Sequence, residues 1–336
     1  MSNSSQALLQ RYLQQQQLSQ SQLLQSLWSG YGKIVRYYNS QDDVSVVAKQ
    51  IQLPDTLNHP RGWSSNTSHQ RKVTSYQVER DFYQYVAPLL SHCRLPRLLH
   101  SFGDMPDLVL VLEDLDQAGF NKRYVALDDN IPLSAIRLCL HWLAQLHGQG
   151  LLLTHSTTQS NNQALSHLWT TGCYWHLATR QDEFNSMAEQ PLKRCAKRLD
   201  LALSNARFQT VVHGDAKIAN FCFAQDDSAV AAVDFQYTGL GVGVRDVMYL
   251  FTSCLDQTAL ELHHQSLLDY YFDCLQRVIA ATSIGLNGAE LEAEWRSLYL
   301  VCWADFHRFL IGWSPDHYKI NAFMQKMSEQ ALAEFT

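Results

Sequence analysis

The chain has 336 residues, 46% of them apolar and 17% charged, a globular composition that excludes wholesale disorder and supplies one large bilobed unit or two domains. Lys and Arg number 26 against 32 Asp and Glu, a net charge of −6, so the overall basic footprint of a general nucleic-acid binder is missing. Eight scattered cysteines, none within four residues of another, exclude a CxxC zinc knuckle and read as reduced, buried thiols.

In chain order, residues 6–27 place leucines among glutamines, and the early part predicts an amphipathic helix. This start lacks the basic and apolar regions of a signal peptide. No stretch approaches the roughly 20 apolar residues of a membrane span, so a cytoplasmic setting without membrane contact is expected. KIVRYY (Lys33–Tyr38) and VSVVAKQI (Val44–Ile51) predict a hairpin across the turn cluster NSQDD. Leu53–Ser68 reads as a loop, and Gln70–Leu90 as a helix with Val78, Phe82, Tyr85 and Val86 in its apolar stripe. Leu98–Ser101 and Leu108–Leu112 read as strands joined by a turn at Gly103–Pro106.

These elements predict a small α+β lobe over residues 1–115, with its boundary inside Glu113–Gly119, followed by a mainly helical part over 116–336. Helices are expected at Pro132–Gly148, Phe184–Ala206, Arg245–Leu255, Leu260–Ala281, Ala289–Gly312 and Asp316–Phe335. Between them Val211–Asp215, Phe221–Ala224 and Ala229–Asp234 are short β-like pieces.

The chemistry concentrates in VVHGDAKIANFCF (Val211–Phe223) and the downstream AVDFQ. An apolar strand runs into His213, Gly214 and Asp215; Asn220 follows five residues later; Asp234 closes a second apolar run. Acid, amide and acid at neighbouring strand ends suit Mg²⁺, a hard cation that takes oxygen ligands and borrows others from phosphates. Asn220 and Asp234 are the candidate ligands. Asp215 is the candidate base that orients an attacking hydroxyl. His213 reads as a buried hydrogen-bonding scaffold, His147 as structural, and His263 and His264 as a solvated helix face.

This pattern resembles the catalytic loop and metal strand of the aminoglycoside phosphotransferase and choline kinase group, which has the protein-kinase-like fold. Three further pieces are similar to its ecdysteroid-kinase-like branch and that branch's bacterial members: VLVLEDLDQAGF (Val109–Phe120) to its hinge, ERDFY (Glu79–Tyr83) to its N-lobe helix, and LAQLHG (Leu143–Gly148) to the helix before its catalytic loop. The resemblance spans roughly residues 30–250 in order, and implies a bilobed α+β fold that uses ATP and Mg²⁺.

It also implies roles. Lys49 contacts the α- and β-phosphates, and Glu79 holds it as an ion pair. Gly30 and Gly32 belong to a loop over the phosphates, a sparse version of such a loop. Glu113 and Leu115, within Leu112–Leu115, pass the adenine. Lys217 neutralises charge on the transferred group, and Asp246 braces the catalytic loop.

Two departures from protein kinases favour a small hydroxylated acceptor. Gly214 replaces an Arg, and only twelve residues separate Asp234 from Asp246, too few for a peptide-docking platform. Lys217, two residues after Asp215, points the other way and keeps an atypical protein kinase as an alternative, alongside a nucleotide-binding pseudokinase. Trp303–Phe309 with Trp313, and Tyr174–His176, read either as packing or as an acceptor wall. Steroid, choline-like, aminoglycoside and sugar alcohols all fit, and no motif sets an oligomeric state.

Overall fold

Alternation along two strands organises the N-terminal part of the computed structural model, which describes residues 4–335 except 28–29, 40, 42–43, 54–65, 126, 128–129, 157 and 283–284. In β5 (Asp107–Glu113) Leu108, Leu110 and Leu112 face one side and Val109 and Val111 the other, all buried. β3 (Val44–Gln52) alternates likewise, with Val46 and Ala48 on one side and Ile51 on the other. With β1 (Gln20–Ser26), β2 (Gly32–Asn39) and β4 (Leu98–Phe102) these strands form one antiparallel sheet in the order β1-β2-β3-β5-β4.

Two helices cover the sheet. α1 (Ser5–Gln15) lays Leu9 and Leu13 on the Val46, Ala48, Val109 and Val111 face, each leucine contributing about 2 kcal/mol by burial. α2 (Asn66–Asp81) covers the other face. The helix expected at the N-terminus therefore stops early. The stretch Gln20–Ser26, rich in Gln, is an edge strand exposed throughout, a strand that local pattern does not mark because neither side is buried. After Asp81 the helix widens into a π-turn at Phe82–Val86. The extra residue shifts the phase of the apolar stripe, so Phe82 and Val86 are buried but Tyr85 is exposed. The NSQDD turn lies partly, and the Leu53–Ser68 loop mostly, outside the described residues.

Beyond β6 (Lys122–Arg123) the chain becomes helical. α3 (Leu133–Thr154) is buried along most of its length and packs on α8 (Gln257–Ala280) and β7 (Thr210–Val212). It runs through Gly148, where a stop was expected. A Cβ there would meet Val278 Cγ1 at 2.3 Å, so this glycine serves close helix packing and not termination. The helix expected over Phe184–Ala206 is two, α5 (Gln181–Ser186) and α6 (Pro191–Ser204), after the short α4 (Gln159–Leu165). Pro191 restarts the helix in its first turn, where a missing N–H costs nothing.

β8 (Phe221–Phe223) pairs with β6 and with β9 (Val230–Ala232), while β10 (Gly239–Gly241) pairs with β7. α7 (Val244–Cys254), α9 (Gly288–Trp313) and α10 (Ala322–Ala333) complete the helical part. The last helix starts at Ala322 and not at Asp316, because Asn321 accepts from the Met324 amide at 3.0 Å and caps it. All eight cysteines are buried and unbridged. A sheet covered by a helix on each face and joined to a larger helical part is the bilobed α+β architecture that the resemblance implies.

Candidate active site

Side-chain parity places the first functional residue. Lys49 shares the cleft face of β3 with Val47, two residues away. Facing it, Lys72, Ser75, Tyr76 and Glu79 recur at helical spacing on α2. Lys49 Nζ lies 2.6 Å from Glu79 Oε2, with both side chains buried, and 3.3 Å from Asp234 Oδ1. Burial works to discharge the ammonium, but Glu79 and Asp234 together hold its pKa above the ordinary lysine value. Burial pushes the Glu79 carboxyl up, and Lys49 only partly offsets this.

The segment 213–220, the candidate catalytic loop, follows β7 and wraps around its own backbone. Asn220 Nδ2 donates to Asp215 O at 2.8 Å and to Asp215 Oδ2 at 3.1 Å. Lys217 Nζ donates to the same Oδ2 at 3.2 Å, and Asp215 pushes the lysine's pKa upward. Asp215 Oδ1 is buried with no hydrogen-bond partner among the described residues. The His213 ring accepts from the Asp215 amide through Nδ1 at 3.3 Å and meets Val233 O through Nε2 at 3.0 Å. This network assigns the proton to Nε2, and His213 is a brace, as its sequence context predicts.

Asp246, on α7, accepts from the amides of His213 and Gly214, while His147 lies 3.2 Å from it and 2.8 Å from the Tyr271 hydroxyl. Gly214 has φ +77°, and a Cβ there would meet Tyr237 O at 2.0 Å. No side chain fits where protein kinases carry Arg.

Asp234 adopts a left-handed backbone at φ +69° and is partly exposed to the cleft. Burial favours its protonation, but Lys49, Lys217 and Lys72 outweigh that and hold the carboxyl well below the usual carboxylate range. Gln236 Nε2 donates to its Oδ1 at 2.7 Å. Because the Asn220 amide nitrogen is committed to Asp215, its carbonyl oxygen is left as an acceptor, and Asn220 lines the same cleft as the ionised Asp234. One amide oxygen and one carboxylate are a donor set that fits Mg²⁺ completed by phosphate oxygens. Among the described residues no cluster of three His, Cys, Asp or Glu exists that would hold a metal unaided.

These residues line one cleft of about 820 Å³, which takes in Lys49, Glu79, Asp215, Lys217, Asn220 and Asp234. Glu113 and Leu115 line it too, at the passage between sheet and helices. The Glu113 carboxylate is fixed by Arg94 at 2.9 Å, and its amide donates to Arg97 O, so this side chain is occupied in bracing the hinge. Gly30 and Gly32 do not line the cleft; Leu27 and Tyr31 do. Gly32, at φ +132°, would place a Cβ 1.9 Å from Gln50 O, so its lack of a side chain serves the approach of β2 to β3. Trp28 and Ser29 of that loop lie outside the described residues.

Sequence reading missed Lys72, Arg71, Gln236 and Arg180. Helical spacing from Glu79 marks Lys72, and the position directly after Asp234-Phe235 marks Gln236; no local signal marks the arginines. Of the two ambiguous aromatic segments, Trp303 and Asp305–Phe309 are buried packing, while Trp313 and Tyr174 line the cleft. Trp175 Nε1 donates to Asp305 Oδ2 at 3.0 Å, inside the core.

The model of the ecdysteroid kinase-like family matches residues 161–283, which contain the catalytic loop, Asp234 and Asp246. Lys49, Glu79 and the hinge lie outside that match. No functionally curated protein matches the chain. Among solved structures, the Plasmodium vivax ethanolamine kinase shares 10% identity with a TM-score of 0.49, covering 97% of this chain and 87% of that one. An aminoglycoside phosphotransferase from Streptomyces rimosus, in complex with ADP and streptomycin, shares 14% at a TM-score of 0.45, covering 88% and 98%. A putative fructosamine-3-kinase from Haemophilus somnus shares 12% at 0.46, covering 98% of each.

Proposed function

We propose that the chain is an ATP- and Mg²⁺-dependent phosphotransferase that moves a γ-phosphoryl group to the hydroxyl of a small molecule. One observation carries the reading. The buried Lys49–Glu79 ion pair reaches Asp234 in the same cleft where Asn220 fixes Asp215. Lys49 is held charged and in place for the α- and β-phosphates. Asn220 and Asp234 are the residues that would hold Mg²⁺, which would supply screening of the phosphate charge. Asp215 keeps one oxygen anchored by Asn220 and Lys217 and the other free to accept the proton of the acceptor hydroxyl. As the acceptor's hydroxyl oxygen attacks phosphorus, the bond to the ADP leaving oxygen breaks, and the hydroxyl proton passes to Asp215. Lys217 faces the charge spread over the transferred group. Positioning and electrostatics supply most of the catalysis. The nucleotide is to lie between the 1–115 and 116–336 parts, with its base at Leu112–Leu115.

A small acceptor is favoured because the segment between Asp234 and Asp246 is used up by β10 pairing with β7, and because Gly214 admits no side chain. ADP release from MgATP across a panel of hydroxylated metabolites tests the reading, with Asp215→Asn as blank. Asp215→Asn is expected to reduce transfer by about a hundredfold or more. Phosphate appearing on proteins alone favours the atypical protein kinase. MgATP binding without turnover on any acceptor favours the pseudokinase.

A further inference from the structure

One end of the cleft carries positive charge that phosphoryl transfer does not account for. Its wall is tied to the catalytic loop: the Tyr174 amide donates to Gly214 O at 2.8 Å, and Arg180 Nε donates to Tyr174 O at 2.9 Å. The Arg180 guanidinium lies 4.2 Å from the centre of the Tyr174 ring, and its charge is balanced by Glu183 at 2.9 Å. Arg71 on α2 joins this wall, donating from Nη1 to Thr179 O at 2.6 Å and from Nη2 to Ser68 Oγ at 3.1 Å. Its Nε is buried with no hydrogen-bond partner among the described residues. Beside it, Lys72 Nζ donates to Gln236 Oε1 at 3.0 Å.

All the hydrogen bonds of Arg71 and Lys72 go to neutral groups, and among the described residues neither forms an ion pair. Removing cations from water without a counter-charge is costly, and folded chains pair or solvate them. Burial accordingly lowers the pKa of both, that of Lys72 to about 8. Asp234 and Glu79 act on Lys72, and Glu183 on Arg71, without a direct ion pair to either. Two adjacent cations with no carboxylate in hydrogen-bond contact, opening into a cleft, are a receptor for an anion. The rings of Tyr174 and Tyr237 line the same cleft, edge to face at 5.1 Å.

Resting on the phosphotransferase reading above, we propose that the acceptor is an anionic hydroxyl compound whose carboxylate or phosphate is bound by Arg71 and Lys72, with Tyr174 and Tyr237 against its carbon skeleton. Arg71 supplies the planar donor fork such a group takes up, and two of its five N–H bonds are already spent.

The test is a calorimetric titration of the protein saturated with Mg²⁺ and a non-hydrolysable ATP analogue. The probes are glycerate and glycerol 3-phosphate against glycerol and ethanolamine. The anions are expected to bind about tenfold or more tighter than the neutral and cationic compounds. Arg71→Gln should abolish that difference, and Arg71→Lys should restore part of it. The two anions distinguish a carboxylate from a phosphate site. The proposal fails if neither anion binds, if glycerol or ethanolamine binds equally, if Arg71→Gln binds the anions as wild type does, or if the anions displace the nucleotide analogue. Failure of the phosphotransferase reading shows elsewhere, as absent ADP release with every acceptor or release unaffected by Asp215→Asn.

Discussion

Asp246 Oδ2 lies 2.6 Å from the backbone nitrogen of His213, joining a helix to the catalytic loop 33 residues earlier in the chain. Its other oxygen takes the Gly214 amide at 3.0 Å, and His147 completes the cluster. Asp246→Ala leaves two buried amides and a buried imidazole without this acceptor. Urea unfolding should show a loss of about 3 kcal/mol. Turnover should fall even where the variant is fully folded, since the loop that aims Asp215 is unbraced. Unchanged turnover in folded Asp246→Ala would remove Asp246 from any positioning role.

The Lys49–Glu79 pair couples stability to pH when broken from one side. Lys49→Met strands Glu79 in the interior and should cost about 3 kcal/mol. Burial already raises the Glu79 carboxyl, so in this variant the folded state binds a proton more readily than the unfolded chain. Stability of Lys49→Met is therefore retained at acid pH and lost as pH rises through the raised Glu79 value. Adding Glu79→Gln should flatten that dependence without restoring use of MgATP. Denaturant midpoints across pH check both.

Asp234→Asn is the informative change at the metal strand, because Asn tolerates the left-handed backbone that Asp234 adopts at φ +69°. Loss of the carboxylate charge should weaken Mg²⁺-dependent nucleotide binding about tenfold or more while leaving the melting temperature near wild type. Nucleotide titrations with and without Mg²⁺ read this directly. Equal curves for variant and wild type would take the ligand role from Asp234.

Two half-buried lysines give the protein an alkaline signature. Burial lowers Lys72 and Lys319 to about 8, against an unfolded value near 10.5. Asp234, Glu79, Tyr174 and Lys49 face Lys72; Asp215 and Lys217 face Lys319. Between those values the unfolded chain holds more protons than the fold, so these two groups make stability rise with pH over that window. Lys72→Met and Lys319→Met should each remove part of the rise. Saturating the cleft with an anion that binds Lys72 should shift its share upward in pH.

Where chemistry is local, the sequence carried it. The His213–Asp234 spacing, the parity that puts Lys49 on the α2 face of β3, and the Glu79 position are consequences of strand and helix periods. The hairpin, β4, β5 and α7–α9 follow from the same periods. The edge strand Gln20–Ser26 did not, because no face of it is buried, and the Tyr85 error came from a π-turn that shifts phase by one residue. Gly148 as a helix end and the single helix over Phe184–Ala206 failed for the same kind of reason: they depend on Val278 beside α3 and on where a new helix begins at Pro191.

The sequence by itself determined the acid–amide–acid set and the division into a β-rich and a helical part, since each depends on neighbours along the chain; the lysine–glutamate pair came from the family resemblance, and the fold brings the two residues together. Only tertiary structure decided that Arg71, Lys72, Tyr174 and Arg180 meet at one end of the cleft. Arg71 and Arg180 are 109 residues apart and joined through Thr179 O. No period reports such a contact: it is fixed by how α2 docks against the segment before α5. The cationic wall is therefore fixed by packing, while the acid–amide–acid set is fixed by spacing.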